Sequence, residues 1–98
     1  MSYISDLAAE IRGEVPEHLL PTENSDLLFL MYAVLLLAKG EGVRPEDVHN
    51  AWSGWMTFLG ERHESLVPFN ELPPGTQSED DPFVQAIKRV AARRSLGE

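Results

Sequence analysis

The chain contains no cysteine. Disulfide frameworks, thiolate metal sites and thiol nucleophiles are thereby excluded, and a reducing cytoplasm is the setting that fits this absence. Bases are scarce: eight Lys and Arg stand against 16 Asp and Glu, a formal net charge of −8. Nucleic-acid phosphates and anionic membrane surfaces repel such a chain, so neither is an expected partner. The longest apolar run, Leu27 to Ala38, stops at twelve residues, short of the roughly 20 that a membrane span needs. The first ten residues, MSYISDLAAE, hold two acids and no base, so no secretory leader is expected. Glycines are scattered without a phosphate-cradling loop, and the serines lie in no nucleophile-elbow pattern. His49, His63 and a neighbouring Asp47 or Glu64 form no HExxH or HxH spacing. We therefore expect no metal, no cofactor and no catalytic constellation, which is to say no enzyme.

What is present reads as a single helical domain over residues 1–98. Ile4, Leu7, Ala8, Ile11 and Val15 repeat at three and four residues, one stripe of an amphipathic helix over about 3–15 that Ser2 can cap and Pro16 ends. Residues 16–24, with two prolines, read as a connector. Asn24 or Ser25 can cap a second helix over 25–39, stopped by Gly40. That helix is apolar on nearly every side, which predicts a central element covered nearly all round. Pro45 with Glu46 and Asp47 opens a third helix over 45–59, striped by Val48, Ala51, Trp52, Trp55, Met56 and Leu59. Asp80 or Asp81 can cap a fourth, over 82–95, with Phe83, Ile87, Val90 and Ala91 inward. The stretch 60–81 carries three prolines and little periodicity. Leu66, Val67, Phe69 and Leu72 predict that it is an ordered loop pinned to the helices. The expected fold is therefore all-α, four main helices with a long ordered loop at 60–81. Its wide Leu27–Ala38 face leads us to expect a homodimer.

Trp52, Trp55, Phe58 and Phe69 are the remaining signal. Core filling is the default for such side chains, and an aromatic wall for a planar ligand or an anchor for a protein partner is the functional alternative. In the ligand reading a base stacks on Trp52 or Trp55, and His49 or His63 reads its polar edges. Arg62 or the basic end of the last helix, where Lys88, Arg89, Arg93 and Arg94 cluster, meets any phosphate. The same bases equally suit the negative end of a last helix.

The run His63-Glu-Ser-Leu-Val-Pro-Phe-Asn-Glu-Leu72 resembles the signature loop of the RyR domain, the repeat named after ryanodine receptors, whose pattern is roughly His-Pro-x-Leu-x-Pro-Tyr/Phe-x-x-Leu. His49 and Trp52 resemble that family's His-x-x-Trp helix, Gly54-Trp55 its Gly-Trp pair, and Asp80 its aspartate before the last helix. The resemblance covers about residues 48–91. Here Gln77 and Asp81 stand where the family carries bases. The N-terminal half is similar to small proteins of actinobacteria and their phages. The resemblance implies a helical, non-catalytic module that senses or sequesters a nucleotide-derived signal in phage–host conflict, in the host cytoplasm if phage-encoded. Its ligand-binding residues would be His49, Trp52, Trp55, Arg62, His63 and Phe69. A module docking to a host or partner protein is the alternative.

Overall fold

The computed structural model describes residues 2–96. Among them there is no strand; the order is α1 (Tyr3–Gly13), α2 (Ser25–Lys39), α3 (Pro45–Phe58), α4 (Pro74–Gln77) and α5 (Asp81–Leu96). Four long helices make the all-α fold expected from the apolar stripes. The loop is more structured than its prolines suggest: single 3-10 turns at Phe69–Glu71 and Ser78–Asp80 flank the one-turn helix α4. Pro74 supplies a φ already suited to that first turn. The Gln77 side-chain amide then donates to the carbonyls of Phe69 and Leu72, at 3.1 and 3.0 Å.

The helix ends show how sequence becomes geometry. Ser2 caps α1, its hydroxyl accepting from the Ser5 N–H at 3.1 Å. At α3 the Asp47 carboxylate accepts from the Arg44 N–H at 2.9 Å, half of a capping box. Past α3 the Gly60 N–H reaches the Thr57 carbonyl and the Glu61 N–H the Met56 carbonyl. Gly60 itself has φ +75°, the left-handed residue such a stop requires. The cap expected of Asn24 or Ser25 is not formed. Asn24 makes no side-chain cap bond and instead adopts φ 57°, a left-handed conformation asparagine tolerates. Its carbonyl accepts the Trp55 indole N–H at 3.0 Å. The Ser25 hydroxyl accepts from Arg12 at 2.7 Å.

The core draws Leu7 and Ile11 from α1, Leu28, Phe29, Tyr32, Ala33 and Leu36 from α2, Val48 and Trp55 from α3, and Val84, Ile87 and Val90 from α5. Phe29 meets Tyr32 edge-on, ring centres 5.5 Å apart. On the outside, α5 is tied to α1. Arg89 and Arg93, one turn apart, each bond the Glu14 carboxylate at 2.9 Å, and Arg89 also bonds the Glu14 carbonyl at 3.0 Å. Arg93 and Arg94 lie 3.4 and 3.8 Å from Glu10. Arg93 and then Arg89 hold the Glu14 carboxyl below its ordinary range. The basic end of the last helix is therefore largely engaged within the protein.

The expectation that α2 is covered nearly all round needs correcting. Val34 and Leu37 are 54% and 50% exposed, and Phe58 on α3 is 76% exposed. The connector 16–24 does not lie over this face; Leu19 and Pro21 turn instead toward the cleft described below. Gly54, beside the same face, leaves room for the end of Met31, which a Cβ would approach to 3.1 Å. No helix among the described residues is long and apolar enough to cross a membrane.

The burial pattern sets a contrast in stability. Ile87 is fully buried, so Ile87→Ala is expected to cost about 2–5 kcal/mol. Phe58→Ala should stay within about 0.5 kcal/mol of the parent. Urea denaturation of the two variants checks both, and a costly Phe58→Ala would contradict the open face.

Candidate functional site

His49 and Trp52 stand three residues apart on α3 and so share a face. Val48 and Trp55, flanking them in sequence, turn to the core. His49 is 3% exposed, and its Nε2–H donates to the Val67 carbonyl at 2.7 Å. A carbonyl can only accept, so the bond fixes the proton on that nitrogen. It also fastens the long loop to α3. The imidazole stacks on Trp52, ring centres 5.7 Å apart and 27° between planes, with Phe69 tilted against it at 6.0 Å. Trp52 in turn meets His63 edge-on at 5.3 Å. His63 Nδ1 accepts the Ser65 backbone N–H at 3.0 Å, which leaves Nε2 to carry the proton in the neutral ring.

His49, Trp52 and His63 line a cleft of about 250 Å³. Leu28 and Tyr32 of α2, Leu72, Thr76, Glu79 and Asp80 of the loop, and Phe83 of α5 complete it, with Leu19 and Pro21 at the connector. Tyr32 is 2% exposed, its ring 5.8 Å from that of Phe83. Every fully enclosed side-chain nitrogen and oxygen among the described residues has a partner. The Tyr32 hydroxyl makes no hydrogen bond to them, so it opens into the cleft. Burial, reinforced by the charge of Asp80, pushes its phenol far above the ordinary value; it is a neutral O–H at any physiological pH.

Asp80 is the second polar group on the cleft wall. It was a candidate N-cap for the last helix. In the structure the 3-10 turn Ser78–Asp80 runs straight into α5, and both Asp80 and Asp81 have helical neighbours. No extended cap residue exists, so the Asp80 carboxylate is not used on backbone N–H groups. It has no ion pair or hydrogen bond among the described residues. Desolvation pushes its carboxyl up to about 6, against the pull of His49 and with the help of Glu79 and Asp81.

The structure thus brings together three of the residues singled out in the sequence, His49, Trp52 and His63. Phe69 lies behind His49 rather than on the cleft. Trp55 is buried and its N–H is committed to Asn24, so it offers no wall to a ligand. Arg62, just beyond the Gly60 turn, is exposed and outside the lining. No Lys or Arg lines the cleft among the described residues. Tyr32 and Asp80 line the cleft without having been expected among its ligand-binding residues. A lone hydroxyl on an otherwise apolar helix was the signal for Tyr32. For Asp80, inside Glu79-Asp80-Asp81, the residues themselves suggested only a cap, and its match to the RyR aspartate before the last helix was the one other signal.

A small all-α domain with one polar-walled aromatic cleft is the class these features define. The chain belongs to the DUF7701 family, a domain of unknown function, which it matches over residues 2–92. No curated protein and no solved structure matches it.

Asp80 generates a pH prediction. In the folded chain its carboxyl titrates near 6, against 3.8 ordinarily. Between those values the folded state holds a proton that the unfolded state has released, so stability falls as pH rises through the interval. The cost of the ionised carboxylate is fully present above about pH 6 and absent below about pH 4. Asp80→Asn should therefore melt higher than the parent at pH 7, and the gap should close as the pH approaches 4. A variant less stable than the parent at pH 7 would mean that the carboxylate has a partner in the fold.

Proposed function

We propose that the protein is a small-molecule-binding module that takes one flat heterocycle in the Trp52 cleft and does no chemistry on it. The observation that carries this reading is the pairing of surfaces inside one cleft. The half-buried Trp52 indole, the unpaired Tyr32 hydroxyl and the Asp80 carboxylate all line it. Apolar rings with a few unsatisfied polar groups are what a preformed ligand site consists of. The absence of a relay supports binding over catalysis: His63 is engaged by the Ser65 backbone N–H, not by its hydroxyl. The likeness of the 63–72 run to the RyR signature loop supports a nucleotide-derived ligand, and the phage resemblance a role in sensing or sequestering a signal in the host cytoplasm.

A panel of nucleobases, nucleosides, nucleotides, cyclic dinucleotides and ADP-ribose derivatives tests this by thermal shift. A ligand at 100 times its Kd is expected to stabilise by about 2.7 kcal/mol. Trp52→Ala, checked for retained helicity by circular dichroism, should lose the shift. Unchanged melting across the whole panel would sink the reading.

The exposed Val34 and Leu37 of α2 favour a second reading, a protein-interaction module. Its occupant would be a second copy of the chain. Val34 and Leu37 stand one turn apart on α2, half exposed and uncharged, and a symmetric pair would cover this face of each copy with the same face of the other. Light scattering at tens of micromolar should then give twice the monomer mass, and Leu37→Glu should return it to the monomer value. A parent chain already of monomer mass would remove this reading.

A further inference from the structure

We infer that the cleft selects a planar heterocycle presenting two adjacent N–H donors, as the Watson–Crick edge of guanine does, and that it rejects phosphate. This deepens the ligand-binding reading and rests on it. An ionised carboxylate accepts two parallel N–H bonds at once and donates none. Asp80 brings such an acceptor pair to the cleft with no protein donor to fill it. The second, independent observation is Tyr32. Its side chain is almost wholly buried, yet its hydroxyl is left without a partner and opens into the same cleft. Two polar groups, one from α2 and one from the turn before α5, both unsatisfied among the described residues and both lining one cleft, mark positions that a ligand fills.

The charged and titratable groups around Asp80 decide the sign of the ligand. Tyr32 faces it from α2, His49 from α3 and His63 from the loop; Glu79 precedes it and Asp81 follows it. His49 Nε2–H is committed to Val67. Arg89 and Arg93 are held by Glu14, and Arg62 lies outside the lining. An entering phosphate meets two carboxylates and no Lys or Arg, so like charges meet in a partly desolvated site.

Donor pattern then discriminates among bases. Guanine offers N1–H and the N2 amino group side by side to a carboxylate, and its O6 can accept from a hydroxyl such as that of Tyr32. Adenine places a ring acceptor beside its amino group, so a lone pair faces a lone pair. Hypoxanthine keeps N1–H and lacks the amino group. At about 250 Å³ the cleft lies just below the roughly 300–1,000 Å³ of drug-sized sites, which suits a base or a nucleoside and not a dinucleotide. The same donor pair can also come from a planar cation of amidine type, and the experiment separates the two sources.

Isothermal titration of the full chain at pH 7.5 with guanosine, inosine, adenosine, guanosine 5′-monophosphate and benzamidine is the test. Guanosine should bind about tenfold or more tighter than inosine and adenosine, the value of one hydrogen bond to a charged group. The monophosphate should bind more weakly than guanosine. Asp80→Asn should lose guanosine binding by about tenfold or more, and Tyr32→Phe by less, both with retained helicity. Benzamidine binding without guanosine binding would support the donor pair and identify the ligand as a cation. Adenosine binding as tightly as guanosine and unaffected by Asp80→Asn would overturn this inference while leaving the ligand-binding reading standing. A monophosphate tighter than the nucleoside would overturn the rejection of phosphate. If neither these five compounds nor the wider panel binds, both readings fail together.

Discussion

The bond from His49 Nε2–H to the Val67 carbonyl is the constraint on which the site depends. A loop of some twenty residues with no strand or long helix of its own has little to hold it. This loop is fastened at its middle by a buried imidazole at 2.7 Å. The same bond fixes the ring plane, and the ring plane sets the stack with Trp52 and the contact with Phe69. Once Val67 is anchored, the chain reverses through the turn at Phe69–Glu71, and Gln77 closes that turn by bonding two of its carbonyls. The loop's return path then delivers Asp80 to the cleft that Trp52 also lines. One buried donor thereby ties the loop to the ring stack on α3.

Two aspartates show how the same residue type is put to different use by the backbone around it. Asp47 follows an extended Arg44, so the free N–H at the start of α3 is within its reach and its carboxylate is satisfied there. Asp80 follows a 3-10 turn that already runs in helical conformation into α5. The N–H groups at that junction look back to the turn itself, the Asp81 N–H bonding the Ser78 carbonyl, and the carboxylate is left over. Its position beside Leu72, Phe83 and Tyr32 then makes ionisation costly. The unsatisfied acid is a consequence of how the loop enters the helix, and a cap-forming junction would have removed it.

The fold was legible in the sequence to the extent that it rests on periodicity. The stripes Leu7–Ile11, Val48–Trp55 and Ile87–Val90 all face the core, and Pro16, Gly40 and Gly60 end helices close to where they were expected to. The cover of α2 was not legible, because an all-apolar helix gives no phase: nothing in Leu27–Ala38 says that Val34 and Leu37 are the residues left outside. The site was legible in part. His49, Trp52 and His63 stood out by residue type and by the spacing on one helix face, and the structure joins them. Trp55 carried the same aromatic signal, and its separation from Trp52 depends on Asn24 turning left-handed to present a carbonyl. Tyr32 and Asp80 each carried a weak local signal, but that both polar groups are left without a protein partner follows only from tertiary burial.

The clamp of Arg89 and Arg93 on Glu14 joins positions 75 and 79 residues apart in a chain of 98. Contacts across such a span form only after nearly the whole chain has closed on itself, because the entropy of closing the loop must first be offset by nearer contacts. The neighbouring α1–α2 pair, joined by a short connector, has no such delay. The clamp therefore belongs to the late side of the folding barrier. Interactions made there do little to the rate at which the chain finds its fold and act mainly on the rate at which it leaves. Since the pairs are exposed and screened by salt, the expected lifetime of the folded state shortens as ionic strength rises, with the folding rate little changed.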